Sequence, residues 1–252
     1  MKHFYAFETA DEIQQYEEMI NDFKVKIQDY QRVLEEQFEL KDAPKAVIWT
    51  TSEAATQIFS DTPIPAFTRK DLIYLSPDLT WWSEMFLSQL QGKDLPIDIH
   101  NFFRNFSGQH LLAILGHELT HHLDLFYDDF EDERENSIWF EEGMCEYLPR
   151  KLMLGDEEFE KTTSVEKHLV EAFQDDYGHR PLDDFGTASY DASLASIFFD
   201  YRRSYLLVKH LVEGVYQGNI QAVFADYKEW YFGDRKQSLT SFFEGRVTKT
   251  LK

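Results

Sequence analysis

Apolar residues recur at helical spacing along the first forty positions. Ile13, Tyr16, Ile20, Phe23, Ile27, Tyr30, Leu34 and Phe38 fall three or four apart, as one face of an amphipathic helix requires. Thr9 followed by Glu12 supplies a capping box, so the pattern predicts a helix over residues 10–39, after a short strand at Lys2–Phe7. The period then changes. Lys45–Thr51, β-branched and aromatic just after Pro44, reads as a strand. Ala54–Phe59 reads as a short helix, broken by Pro63 and Pro65. Ala66-Phe67-Thr68 and Leu72–Leu75 flank a polar Arg69-Lys70-Asp71 turn and predict a hairpin. A helix is expected at 79–92, and Gln91–Ile99, with Gly92 and Pro96, reads as a loop.

Helical spacing returns after Ser107, which can cap a helix over 108–126 with a stripe of Leu112, Leu115, Leu119, Leu123 and Phe126. The acidic stretch Asp128–Glu135 reads as a solvated connection, and Ile138–Leu152 as a further helix ending near Gly155. Beyond it the patterns at 165–173, 189–216, 218–230 and 237–245 are helical, with loops at Gly178–Pro181 and Asp183–Gly186. The expected fold class is therefore α+β: a lobe over 1–155 with a small mixed sheet, then a mostly helical lobe over 156–252. The chain contains no internal repeat and no low-complexity linker.

Composition narrows the function classes. Hydrophobic residues make up 43% of 252, enough for a substantial core and unlike a disordered chain. A formal net charge of −21 opposes nucleic-acid backbones and anionic membranes, so neither is expected as a partner; a basic peptide is the partner such a charge would favour. With one cysteine, Cys145, no intrachain disulfide can form. The opening MKHFYAFETADE lacks an apolar h-region, no run is long enough to span a bilayer, and a cytoplasmic protein is expected.

The candidate chemistry sits at His117-Glu118-Leu119-Thr120-His121, an H-E-x-x-H pattern. Residues four apart on a helix share a face, with Cβ atoms about 5–6 Å apart. Two imidazole nitrogens can then meet one Zn²⁺ at about 2.0–2.1 Å. Glu118, one step round the helix, is poorly placed as a ligand and well placed to take a proton from metal-bound water. A catalytic zinc needs a third protein ligand, and the next predicted helix offers Glu141 and Glu142 in Trp139-Phe140-Glu141-Glu142-Gly143. Glu146 shares a face with Glu142 and is assigned to orient His117 through its other ring nitrogen. His122 reads as a packing residue or a support for the ligand pair, not as a ligand; His100, His110, His168, His179 and His210 have no partner spacing and read as structural or surface.

At these residues the chain resembles the gluzincin superfamily of zinc peptidases, with its zincin-like fold and its thermolysin-like and M1-aminopeptidase-like members. HELTH at 117–121 matches the metal helix, and WFEEG at 139–143 looks like W-x-x-E-G, where the Glu before Gly is the ligand, here Glu142; a thermolysin-like count points to Glu141 instead. Tyr201–Val208 looks like the helix that carries the oxyanion-stabilising Tyr, with Arg203 and Ser204 replacing the family's Lys and Gly. That implies Tyr201, with Tyr205 and Tyr190 as alternatives. No Gly-Ala-Met-Glu-Asn segment is present, so aminopeptidase specificity does not carry over. The resemblance implies a hydrolase that cuts peptide or protein substrates with Zn²⁺ held by His117, His121 and Glu142, Glu118 as general base and Tyr201 on the oxyanion. The other class consistent with these residues is a non-catalytic zincin-fold protein that binds a protein or peptide partner. Oligomeric state is not legible.

Overall fold

The computed structural model describes residues 1–60, 63–128, 137–186 and 193–250, with side chains to residue 246. Tyr190 and most of the acidic stretch Asp128–Glu135 lie outside the described residues. The chain is α+β, mostly helical with a four-stranded mixed sheet. It forms two compact units, Met1–Asp124 with Leu148–Lys161, and Leu125–Tyr147 with Thr162–Lys252. The expected lobe boundary at residue 155 falls within the second segment of the first unit.

The first unit holds the sheet: β1 (Lys2–Ala6), β2 (Ala46–Thr50), β3 (Ala66–Arg69) and β4 (Leu72–Leu75), in the order β1-β2-β4-β3. The β1–β2 and β2–β4 pairs are parallel, and β3 closes the edge antiparallel to β4 with Thr68 opposite Ile73. Ala46, Val47, Trp49 and Thr50 of the interior strand β2 are buried, as a strand covered on both faces requires. Helix α1 (Ala10–Gln37) connects β1 to β2. Its N-cap Thr9 accepts the Glu12 N–H at 3.4 Å, and Ile20, Phe23, Ile27, Tyr30 and Leu34 bury the expected stripe. Helices α2 (Ser52–Gln57) and α3 (Leu79–Ser88) follow their strands, α3 capped by Asp78 through the Thr80 and Trp81 N–H groups.

Helix α4 (Ile97–Arg104) starts inside the stretch expected to be a loop. Pro96 stands at its N-cap, where a missing N–H costs little, and Ile99, Phe102 and Phe103 bury one face, with Phe103 stacked 5.2 Å from Phe86 of α3. Helix α5 (Gly108–Thr120) ends well short of the expected residue 126. The His122 and Leu123 N–H groups turn back to the carbonyls three residues earlier. The Asp124 N–H goes to the Glu39 carbonyl, and its carboxylate accepts the Lys41 N–H at 3.0 Å. The loop after α1 thus draws the chain out of the helix.

Helices α6 (Ile138–Met153) and α7 (Asp156–Tyr177) each contribute to both units. In the first unit, a Cβ on Gly116 of α5 would lie 2.6 Å from Pro149 Cβ and 2.9 Å from Met153 Sδ, so glycine lets α5 approach the C-terminal half of α6.

The second unit is helical: the first half of α6, most of α7, a 3₁₀ turn at Leu182–Asp184, α8 (Leu194–Lys209) continuing into a π turn at His210–Val215, α9 (Ile220–Tyr231) and α10 (Leu239–Thr250). Its centre is aromatic. Phe140 stacks on Tyr227 at 4.2 Å and on Phe243 at 5.8 Å, and buried Trp139 donates its indole N–H to Asp183 at 3.0 Å. Among the described residues no helix is long and apolar enough to cross a membrane.

Candidate metal centre

The last turn of α5 carries His117 and Glu118, and His121 follows at its C-cap with φ −55° and ψ −21°. Those angles keep helical spacing past the helix end, so both imidazoles emerge from one face. Their Nε2 atoms converge to 3.1 Å, with the rings edge to face at 4.8 Å. Two ligands of a tetrahedral zinc at about 2.05 Å are about 3.3 Å apart, so the pair already spans one edge of such a site.

Hydroxyl groups hold this turn. Thr120 is fully buried and donates to the Gly116 carbonyl at 2.7 Å. A hydroxyl has one proton, so the Tyr30 phenol, 2.7 Å from Thr120 Oγ1, is the donor in that contact and ties α1 to the end of α5. Glu118 is buried and accepts a 2.9 Å hydrogen bond at Oε2 from Thr68 Oγ1. The same hydroxyl lies 3.2 Å from the Glu118 carbonyl. Thr68 was legible only as part of a hairpin; nothing local in the sequence points from it to a glutamate fifty residues away.

Glu142 is set within the second unit. It lies on α6, is buried, and accepts the Tyr201 hydroxyl of α8 at Oε1, 3.1 Å away. Gly143 allows this closeness. A Cβ there would lie 2.6 Å from both the Ser204 carbonyl and Val208 Cγ2, so only glycine lets α6 and α8 meet backbone to side chain at this level. Ser204, standing where the resembled family has Gly, is fully buried and turns its hydroxyl to the Asp200 carbonyl at 2.7 Å. The Tyr201 ring packs edge-on to Phe185 at 5.4 Å.

Around that contact the unit is held by buried charge. Arg202 Nε meets Glu166 at 2.9 Å, and Asp200, 1% exposed, receives Arg180 at 2.6 Å and Arg203 at 3.4 Å. Burial pushes the Asp200 carboxyl above its ordinary range while the two guanidiniums pull it back. Arg203, standing where the resembled family has Lys, thus belongs to this ion cluster.

One ligand atom each from His117, His121 and Glu142 all lie within 4.8 Å of one another, a set that could hold a metal ion. Two imidazoles and a carboxylate are the donor chemistry of a catalytic zinc. Glu141 is also buried but is outside this group. Glu146 is half-buried one turn further along α6. The Tyr205 hydroxyl contacts Thr163 at 2.6 Å in a fully buried setting. Cys145, on α6, is fully buried.

A protein-family model described as collagenase matches residues 102–246, more than half of the chain. The match runs from α4 through α10 and contains every candidate ligand; the sheet lies outside it. No curated protein and no solved structure matches the chain.

Proposed function

Since this chain belongs to the collagenase family of zinc metallopeptidases, we propose that it hydrolyses peptide bonds as a gluzincin, with zinc held by His117, His121 and Glu142. The observation that carries this reading is the donor group of those three residues, all inside the matched segment. A zinc ion there would supply a Lewis acid that acidifies water toward a pKa of about 7 and polarises the scissile carbonyl.

Each remaining role falls to a side chain. Glu118 takes the proton from the attacking water as the C–O bond forms, then gives it to the leaving amine as the C–N bond breaks. Its burial keeps that carboxylate out of bulk solvent. Tyr201 brings a phenolic donor to the ligand carboxylate, and in the reaction that donor serves the developing oxyanion. Glu146 orients His117. The substrate is a peptide or protein segment; collagen itself is named by the family.

The test is cleavage of a diverse peptide mixture by zinc-loaded protein, read by mass spectrometry beside Glu118→Gln. The variant should keep its zinc and lose about 10²- to 10⁴-fold in turnover. Chelation should abolish the cuts and added zinc restore them. Equal cleavage by both proteins rules out Glu118 as the base. Zinc binding with no cuts by either supports the partner-binding reading instead.

A further inference from the structure

Thr68 stands on edge strand β3, outside the family match. Alternation along β3 divides its side chains: Ala66 and Thr68 are buried, while Phe67 stacks on Tyr74 at 4.7 Å and Arg69 lies 5.8 Å from the Phe67 ring. The buried face of the strand meets α5. Thr68 is 8% exposed there, and its hydroxyl reaches two acceptors of one residue, Glu118 Oε2 at 2.9 Å and the Glu118 carbonyl at 3.2 Å.

The second contact has a local cause. The last four carbonyls of a helix have no intrahelical partner four residues on. Glu118 is among them, because the His122 N–H that would continue the ladder bonds Leu119 instead. The carbonyl and the carboxylate of Glu118 therefore face the same hydroxyl. A glutamate side chain has several rotatable bonds, and fixing them costs conformational entropy. A donor on the neighbouring strand fixes the carboxylate in advance.

We propose that Thr68 is a positioning residue for the general base: its hydroxyl clamps Oε2 of Glu118 and directs Oε1 to the attacking water. This rests on the metallopeptidase reading and on Glu118 as its base. Thr68 neither gains nor loses a proton in the cycle. With two acceptors on the same residue it keeps a hydrogen bond while the carboxylate takes up and releases the water's proton. A base displaced by about 1 Å can cost on the order of 10²-fold in rate. The edge strand thereby sets the catalytic geometry through a side chain on its buried face.

The experiment compares full-length, zinc-loaded wild type, Thr68→Val, Thr68→Ser and Glu118→Gln. Turnover and KM are measured on quenched-fluorescence peptides, zinc content by mass spectrometry of the metal, and the Glu118 rotamer in crystal structures. Valine keeps the shape and β-branching of threonine without its hydroxyl; serine keeps the hydroxyl without the methyl. Thr68→Val should lower kcat by about 10- to 100-fold, the range for partners one step removed from a metal site. Its KM and zinc content should stay at wild-type values, and its Glu118 carboxylate should turn away from the wild-type orientation. Thr68→Ser should recover turnover and orientation. Wild-type kcat in Thr68→Val, equal losses in both Thr68 variants, or an unmoved Glu118 in Thr68→Val overturns the proposal. If Glu118→Gln cleaves as fast as wild type, the base assignment has failed, and the crystallographic rotamer still decides whether Thr68 orients Glu118.

Discussion

The two units prepare their candidate ligands by different physical means. In the first, α5 stops at the site, and its last turn is fastened by hydroxyls: Tyr30 on Thr120, Thr120 on Gly116, Thr68 on Glu118. In the second, Glu142 sits inside a continuous helix, and its surroundings are fixed by the Gly143 contact with α8 and by buried ion pairs. The first arrangement leaves side chains at a helix end, where carbonyls are open to new partners. The second removes freedom by packing. His117, Glu118 and His121 stand in the first setting, and Glu142 in the second.

Breaking the buried charge in the second unit should have the largest effect on stability. Glu166→Ala leaves the Arg202 guanidinium, 6% exposed, without its carboxylate. Losing one partner of a buried pair typically costs about 3–5 kcal/mol, read as a lower denaturant midpoint. Replacing both residues by apolar ones of similar volume should restore most of that loss. If the double variant is as unstable as the single, the pair is stabilising in its own right and not merely satisfied.

Next in size is the α6–α8 contact. Gly143→Ala forces a methyl against the Ser204 carbonyl and Val208 and should cost about 1–3 kcal/mol, as overpacking does. Gly155→Ala is the control on the same stretch of chain. A Cβ there meets nothing within 4 Å, so alanine should be neutral or stabilise by about 0.4–1 kcal/mol through the unfolded state. Equal melting temperatures for the two variants would mean that the helices can separate without penalty.

The hydroxyl side of the comparison predicts less. Tyr30→Phe removes the donor to Thr120 but leaves Thr120 bonded to Gly116. A net loss of about 0.5–1.5 kcal/mol is expected, with zinc content unchanged. A loss of zinc along with the hydroxyl would instead make the Tyr30 contact part of the metal site's support.

What could be read in the sequence follows the range of the interactions. The His117–His121 spacing and the α1 stripe are local and period-driven, and both appear in the structure as expected. The end of α5 was not legible, because it is set by Asp124 meeting Glu39 and Lys41 across more than eighty residues. Helix α4 was hidden by Pro96, which reads as a breaker and acts as a starter. Helix α7 begins nine residues before the expected 165, with Asp156, Glu157 and Glu158 in its first turn; there acidic residues favour the helix dipole but mask the apolar period. Thr68 and the ion pairs of Asp200 and Arg202 depend on tertiary neighbours that no local pattern carries.

A pH-dependent effect is expected at β1, on the opposite edge of the sheet from β3. The Trp49 indole N–H donates to His3 Nδ1 at 3.1 Å, and the two rings stack at 6.1 Å. Burial above all, then the positive charges of Lys24 and the N-terminus, lowers the His3 pKa from 6.5 to about 4. Nδ1 must stay unprotonated to accept the indole. Between pH 6.5 and 4 the unfolded chain therefore binds a proton that the folded chain refuses, so stability is full above that window and falls as pH drops through it. His3 is only half-buried, and solvent screening trims the effect. Denaturant midpoints of wild type and His3→Phe, measured from pH 7.5 to 4.5, isolate it, because the many carboxylates titrate alike in both. The difference between the two proteins should be level near pH 7.5 and shift toward the variant as pH falls below 6.5. A difference that is flat across the whole range would show that His3 titrates alike folded and unfolded, and that the Trp49 contact does not depend on its charge.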